Sequence, residues 1–259
     1  MKLSKILIIR FSSIGDIVLT TPVIRCLKQL TGAEIHFLVK PAFANVIRTN
    51  PYIDRCFTLN DSLSETISEL KKENYDLIVD LHKNLRSFRI SLSLGIKTIR
   101  YDKLNFKKWL FVHFKKDLLP KNKHLVDRYF DALQQIGVTN DGYGLDYTIS
   151  KEDEDKALQM IQDQSYQILV LGATYYTKRI PQEKCQEIIT KYTGITYLVG
   201  GNDVKELSEI LTSLYPDKVV NTCGNISLGV SAALIKYSQL VFTGDTGMMH
   251  IAAALQKEM

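Results

Sequence analysis

Three stretches of this sequence put reactive side chains where a strand hands over to a helix. The first is Arg10-Phe11-Ser12-Ser13-Ile14-Gly15-Asp16, which follows the apolar run Ile6-Leu7-Ile8-Ile9. Ligands of open α/β sheets bind outside the carboxyl ends of the strands. A carboxylate, two hydroxyls and a glycine at such a junction therefore mark Asp16 as a candidate catalytic group. The plain alternative is a cap that starts the next helix. The second stretch is Gly244-Asp245-Thr246-Gly247-Met248-Met249-His250, after the strand-like Leu240-Val241-Phe242-Thr243. Two glycines, a hydroxyl and a helix start are suited to receive a phosphate, because N–H groups point outward there and the helix dipole favours negative charge. His250 lies one turn beyond Thr246 and faces the same side. A tight turn with a cap is the ordinary alternative. The third stretch is Gly172-Ala173-Thr174-Tyr175-Tyr176-Thr177-Lys178-Arg179-Ile180-Pro181. Its hydroxyl at Thr174 and cation at Lys178 suit a departing diphosphate, with Arg179 adjacent to assist; a solvated Thr–Lys pair is the bland reading. Gly200-Gly201-Asn202-Asp203 either approaches a nucleotide or only turns the chain and caps a helix.

The elements that would carry these residues alternate. Lys5–Arg10 reads as a buried parallel strand. Ile17–Thr20 reads as a turn before a helix that is capped by Thr21, holds Pro22 in its first turn and stops at Gly32. Strands follow at 35–39, 56–59, 75–80 and 98–100, with a short helix within 41–49 and an amphipathic helix over 63–73. The strand ending in Asp80 opens into the loop Leu81-His82-Lys83-Asn84. A helix over 127–136 and a short strand at 145–149 come next. Ser150 then caps a new helix, with Asp153 at the capping-box position. Strands at 167–171, 196–199, 218–220 and 240–243 alternate with helices after Pro181, to Leu214, over 228–237 and from Met248. This alternation predicts βαβ units and parallel sheets, with a domain boundary at 149/150.

Composition bounds the reading. The 259 residues are 45% hydrophobic and 24% charged, typical of a globular protein with an ample core. A formal net charge of +5 permits an anionic ligand or surface without requiring one. No apolar run approaches a membrane span. The N-terminus looks superficially like a signal peptide, but Arg10 breaks its apolar run and no cleavage site follows, so a cytoplasmic protein is expected. Cys26, Cys56, Cys185 and Cys223 have no metal-ligand or redox spacing. No Asp-x-Asp pair sits in a strand-end loop, and no metal site is expected. Residues 101–125 interleave Lys103, Lys107, Lys108, Lys115, Lys116, Lys121 and Lys123 with Phe106, Trp109, Phe111 and Phe114. That pattern suits either peripheral contact with a membrane surface or an ordinary helix with a solvated charged face. It matches no nucleic-acid recognition motif, and no nucleic-acid partner is expected.

Taken in chain order, three motifs resemble glycosyltransferase family 9, the lipopolysaccharide heptosyltransferase family. They are Ile8–Asp16 with Thr20-Thr21-Pro22, then Gly172-Ala173-Thr174 with Lys178-Arg179 and Pro181, then Asp245-Thr246-Gly247-Met248-Met249-His250-Ile251-Ala252-Ala253-Ala254. They span almost the whole chain, and the third is the most specific. The resemblance implies an α/β, GT-B-like architecture of two Rossmann-like domains with parallel sheets and the site in the cleft between them. Residues 1–149 would form the acceptor-binding domain and 150–259 the nucleotide-sugar-binding domain. It implies an inverting transfer of a heptose or related sugar from ADP-heptose, or another nucleotide sugar, to a lipopolysaccharide core or lipid A acceptor. Asp16 would deprotonate the acceptor hydroxyl, and Lys178 would stabilise the leaving diphosphate. Thr174, Asp245, Thr246, Gly247 and His250 would line the donor site. Ser12, Ser13, Gly15 and Lys83 would meet the acceptor. Neither a metal nor another cofactor would be required. The expected place of work is the cytoplasmic face of the inner membrane.

Ile180 stands where family members often carry an aromatic residue, and relatives continue beyond the third motif. A C-terminal truncation that leaves the second domain incomplete is therefore expected. The competing readings are a catalytically inactive or sugar-nucleotide-binding remnant, and a dinucleotide-dependent oxidoreductase. The second lacks support, since the first junction has Gly15 but no Gly-x-Gly-x-x-Gly.

Overall fold

Strand β1 (Lys5–Ile9) carries four apolar residues in succession, Ile6 to Ile9, all fully buried. Only a strand covered on both faces accommodates such a run. The structure, a computed structural model, describes residues 3–103, 123–161 and 165–259. The expected membrane patch at 101–125 falls largely on residues 104–122, outside the described ones.

The chain divides into two compact units. The first comprises Met1–Ser12, Leu19–Ala44 and Asn50–Gly144, and the second Ser13–Val18, Asn45–Thr49 and Leu145–Met259. After β1 come α1 (Ile14–Val18), α2 (Thr21–Thr31), β2 (Glu34–Val39), β3 (Arg55–Thr58), α3 (Leu63–Lys71), β4 (Leu77–Asp80), α4 (Leu85–Leu94), β5 (Thr98–Arg100) and α5 (Leu125–Leu133). The five strands form a parallel sheet in the order β3-β2-β1-β4-β5, with Ile9 of β1 in register with Leu38 and Asp80. One side of that sheet buries Leu7, Ile9, Phe11, Leu38 and Ile78 against Leu70 of α3 and Ile90 of α4.

In the second unit α6 (Lys151–Met160) leads to β6 (Tyr166–Val170), α7 (Gln182–Lys191), β7 (Ile195–Val199), α8 (Lys205–Leu214), β8 (Val219–Asn221), α9 (Leu228–Tyr237), β9 (Leu240–Phe242) and α10 (Gly247–Ala254). Its parallel sheet runs β8-β7-β6-β9. The buried polar groups of this sheet are satisfied internally. Gln167 Nε2 donates to Thr196 Oγ1 at 2.9 Å, and Tyr166 Oη donates to the Leu234 carbonyl at 2.7 Å. Strand order reverses at β6, so the loops leaving β6 and β9 open on the same crevice. The architecture is α/β with parallel sheets and two Rossmann-like units, the GT-B-like class.

Some local expectations are corrected. Of the turn expected over Ile17–Thr20 only Leu19 and Thr20 are one, since Ile17 and Val18 close the short helix α1, and Thr20, not Thr21, precedes α2 without a side-chain cap bond. Leu145–Ile149 forms no strand. A short extended segment needs a neighbouring backbone to be one, and here the Thr148 carbonyl accepts instead from the Thr49 hydroxyl at 2.6 Å. Helix α4 has apolar residues on both faces and so lacks the amphipathic pattern that marks a helix in sequence. Ser150 does cap α6, accepting from the Asp153 N–H at 3.1 Å.

Candidate active site

The motif residues converge through backbone contacts that admit no larger side chain. A Cβ placed on Gly15 would collide with the His250 ring, lying 3.0 Å from Nε2 and closer still to Cδ2. One on Gly247 would lie 2.6 Å from Ile14 Cβ. Helices α1 and α10 therefore pack with a glycine from each at their contact, joining the first motif to the third. A Cβ on Gly244 would likewise overlap the Lys178 carbonyl, which joins the third motif to the second. Glycine is needed here for close approach, not for an unusual turn.

These elements surround a pocket of about 1010 Å³. Ser13, Gly15 and Asp16 line it from α1 and its entry, and Thr174, Lys178 and Arg179 from the loop after β6. Asp245, Thr246, Gly247 and His250 line it from the loop after β9 and the start of α10. All its lining residues belong to the second contact unit, which includes Ser13–Val18.

Asp16 sits at the third position of α1, and its Oδ2 accepts from Ser13 N at 3.3 Å and Ser13 Oγ at 3.0 Å. The reach back to the helix entry is a capping interaction, and it also fixes the carboxylate at the pocket wall. Capping and catalysis are thus compatible roles for the same group. Lys178 ends a single 3₁₀ turn, Tyr176–Lys178, and its Nζ lies 2.6 Å from Asp245 Oδ2. That hydrogen bond holds the Asp245 carboxyl below the usual carboxylate range, and the charges of Lys178 and His250 add to the effect. Thr246 caps α10 by accepting from Met249 N at 3.4 Å, and its hydroxyl lies 3.2 Å from that of Thr243. The N-terminal turn of an eight-residue helix therefore faces the same space as Lys178. A cation and a helix N-terminus together form an anion receptor.

Arg179 is engaged elsewhere. Its Nη2 pairs with Asp203 Oδ2 at 2.5 Å, and its Nε donates to the Ala173 carbonyl at 3.3 Å. It braces the loop against the Gly200–Asp203 turn, which also lines the pocket. Ile226, Leu228 and Ser231 complete the wall, and sequence reasoning missed them. They sit at the start of an almost wholly apolar helix, α9, where no pattern separates a pocket wall from core. Ser12 and Lys83 are not among the lining residues. Lys83 lies in the loop after β4 with φ of 50°, its N–H donated to Asp80 Oδ1 at 2.8 Å. Among the described residues no group of three or more His, Cys, Asp or Glu is placed to hold a metal ion.

A parallel-sheet protein with an anion receptor facing a fixed carboxylate has the makings of a group-transfer enzyme. The chain belongs to glycosyltransferase family 9, the heptosyltransferase family, whose sequence model matches residues 64–259. It is 23% identical to lipopolysaccharide heptosyltransferase 1 of Campylobacter coli over 98% of this chain and 82% of that one. Among solved structures, a family 9 glycosyltransferase from Veillonella parvula superposes with a TM-score of 0.80 at 22% identity, covering 99% of this chain and 80% of that one. The E. coli heptosyltransferase WaaC with ADP-2-deoxy-2-fluoro heptose superposes with a TM-score of 0.72 at 20% identity, covering 98% and 86%. Members of the family are glycosyltransferases, and so is this chain by membership.

Proposed function

We propose that this protein transfers a heptose, or a related sugar, from an ADP-sugar to a lipopolysaccharide core or lipid A acceptor, inverting the anomeric centre. The carrying observation is the convergence of Asp16, Lys178 and the N-terminus of α10 on one pocket. In this reading Asp16 takes the proton from the acceptor hydroxyl as the oxygen attacks. Lys178 and the α10 N–H groups receive the charge that develops on the departing diphosphate. Asp245 releases Lys178 to the phosphates when donor binds, while Thr174, Thr246, Gly247 and His250 contact the donor. Ser13 and Gly15, which line the pocket, are assigned to the acceptor, and Ser12 and Lys83, which do not line it, join them on the family resemblance alone. No metal is required, and the reaction runs on the cytoplasmic side of the membrane. The relatives named above support the sugar class, since one is a lipopolysaccharide heptosyltransferase and another was solved with a fluorinated ADP-heptose.

The test is ADP release from ADP-heptose with a lipid A–core acceptor, in wild type and Asp16→Asn, with and without EDTA. Loss of a general base lowers turnover about 10²- to 10⁴-fold while leaving the fold intact. Turnover unchanged in Asp16→Asn removes the base from its assigned role. A stably folded wild type that binds donor but never turns over would point instead to a sugar-nucleotide-binding protein.

A further inference from the structure

Helix α4 presents an apolar face to solvent. Leu85 is 73% exposed, Phe88 49% and Leu92 70%. Their spacing, three and then four residues, sets them in one stripe. The opposite face is committed to the fold. Ile90 is in the core, Ser87 Oγ donates to Asp80 Oδ2 at 2.8 Å, and Ser91 Oγ donates to the Ser87 carbonyl at 2.8 Å. Rotation of α4 cannot hide the stripe, since that would expose Ile90 and break the Ser87 bond.

Cations lie on α4 itself and on the segments that flank it. From Leu81 to Tyr101 the chain has Lys83, Arg86, Arg89, Lys97 and Arg100 and no Asp or Glu, with Arg100 Nε held by the buried Asp80 Oδ2 at 3.3 Å. Arg86, Arg89 and Lys97 are exposed. The Arg100 guanidinium lies 5.4 Å from the centroid of the Phe88 ring.

We infer that the outward face of α4 docks on an anionic lipid bilayer. Leu85, Phe88 and Leu92 enter the boundary between headgroups and acyl chains, and Arg86 and Arg89 meet the lipid phosphates. A second copy of the chain suits the face poorly. A two-fold interface would set the patch against itself, arginine on arginine. Three apolar side chains also fall well short of the roughly 800 Å² per partner that stable protein interfaces bury. A bilayer needs no such area, because each basic residue near an anionic surface improves partitioning about fivefold.

Cosedimentation of the full chain with vesicles tests this, and no sugar donor takes part, so the result stands apart from the proposed transfer. The protein should bind phosphatidylcholine vesicles containing phosphatidylglycerol and not those of phosphatidylcholine alone. Raising salt should weaken binding, because the Debye length falls to about 3 Å at 1 M. Leu85→Ser/Leu92→Ser and Arg86→Glu/Arg89→Glu should each lower binding tenfold or more at unchanged thermal midpoints, since all four positions are exposed. Lys151→Glu, on α6 in the second unit, should bind like wild type. Three results would overturn the inference: no binding to anionic vesicles, equal binding by wild type and both double variants, or a dimer that the leucine variant dissolves.

Discussion

Two strand-end carboxylates show what a residue's surroundings decide. Asp80 closes β4 ahead of α4, while Asp16 follows β1 inside the first turn of α1. Asp80 is fully buried and accepts from His82 N, Lys83 N, Ser87 Oγ and Arg100 Nε. It organises the 81–84 loop. Asp16 is half-buried and lines a pocket. Sequence spacing alone cannot separate the two, because each reads as an acid after an apolar run. What set Asp16 apart was the glycine and hydroxyls around it, together with a phosphate-type loop far along the chain. Lys178 carries the sharper consequence at this scale. Its ammonium is held at 2.6 Å by Asp245, so it is already aimed at the pocket. Lys178→Met should weaken ADP binding about 10- to 100-fold, the loss of one or two charge-assisted hydrogen bonds. The variant also leaves the Asp245 carboxylate facing the diphosphate without a counter-charge. Calorimetric titration with ADP measures the change, and equal affinity in wild type and variant would take Lys178 out of the donor site.

At the scale of elements, the two helices that meet at glycines control the site. His250 is the distal end of a side chain, so Gly15→Ala can be absorbed by moving the ring. Ile14 Cβ is fixed to the backbone of α1, so Gly247→Ala must shift the helix that carries Asp16. Overpacking of this kind costs about 1–3 kcal/mol. Gly247→Ala should therefore lower turnover by more than Gly15→Ala at comparable stability loss, while Gly15→Ala acts mainly on donor affinity. Separate kcat and KM measurements distinguish them, and equal effects on both parameters would contradict the packing. The elements themselves were legible where burial imposes a pattern. Ile6–Ile9 and Gln167–Leu171 are continuous buried runs and read directly as parallel strands. Helix α4 was not legible, because Leu85, Phe88 and Leu92 face outward and fill the polar side of its period. Leu145–Ile149 has strand-like residues, but pairing depends on a neighbour that local sequence does not encode.

At the scale of the whole molecule, the same winding is used twice, with the sheet orders β3-β2-β1-β4 and β8-β7-β6-β9 matching strand for strand. The first unit is closed at its far end by a buried ion pair. Arg25 of α2 is 3% exposed, and its Nε and Nη2 meet the two oxygens of Asp141 at 2.7 and 2.8 Å. Nη2 also donates to the Gly144 carbonyl at 2.9 Å, where the first unit ends. The hydrogen bonds from Arg25 hold the Asp141 carboxyl down at about 2. An unfolded aspartate titrates near 3.9, so this pair contributes its full stability above about pH 4. The contribution, about 2 kcal/mol, is lost as pH falls through about 2. Asp141→Asn keeps the shape but strands a buried guanidinium, and should destabilise the protein by about 3 kcal/mol at pH 7. Other carboxylates here are also depressed, Glu34, Glu73 and Asp76 among them, so the wild type will lose stability in acid for several reasons. The difference between wild type and Asp141→Asn isolates the pair. Measured by urea denaturation, it should be constant from pH 7 to about 4 and shrink below. Parallel curves down to pH 2 would mean that the two groups do not meet in solution.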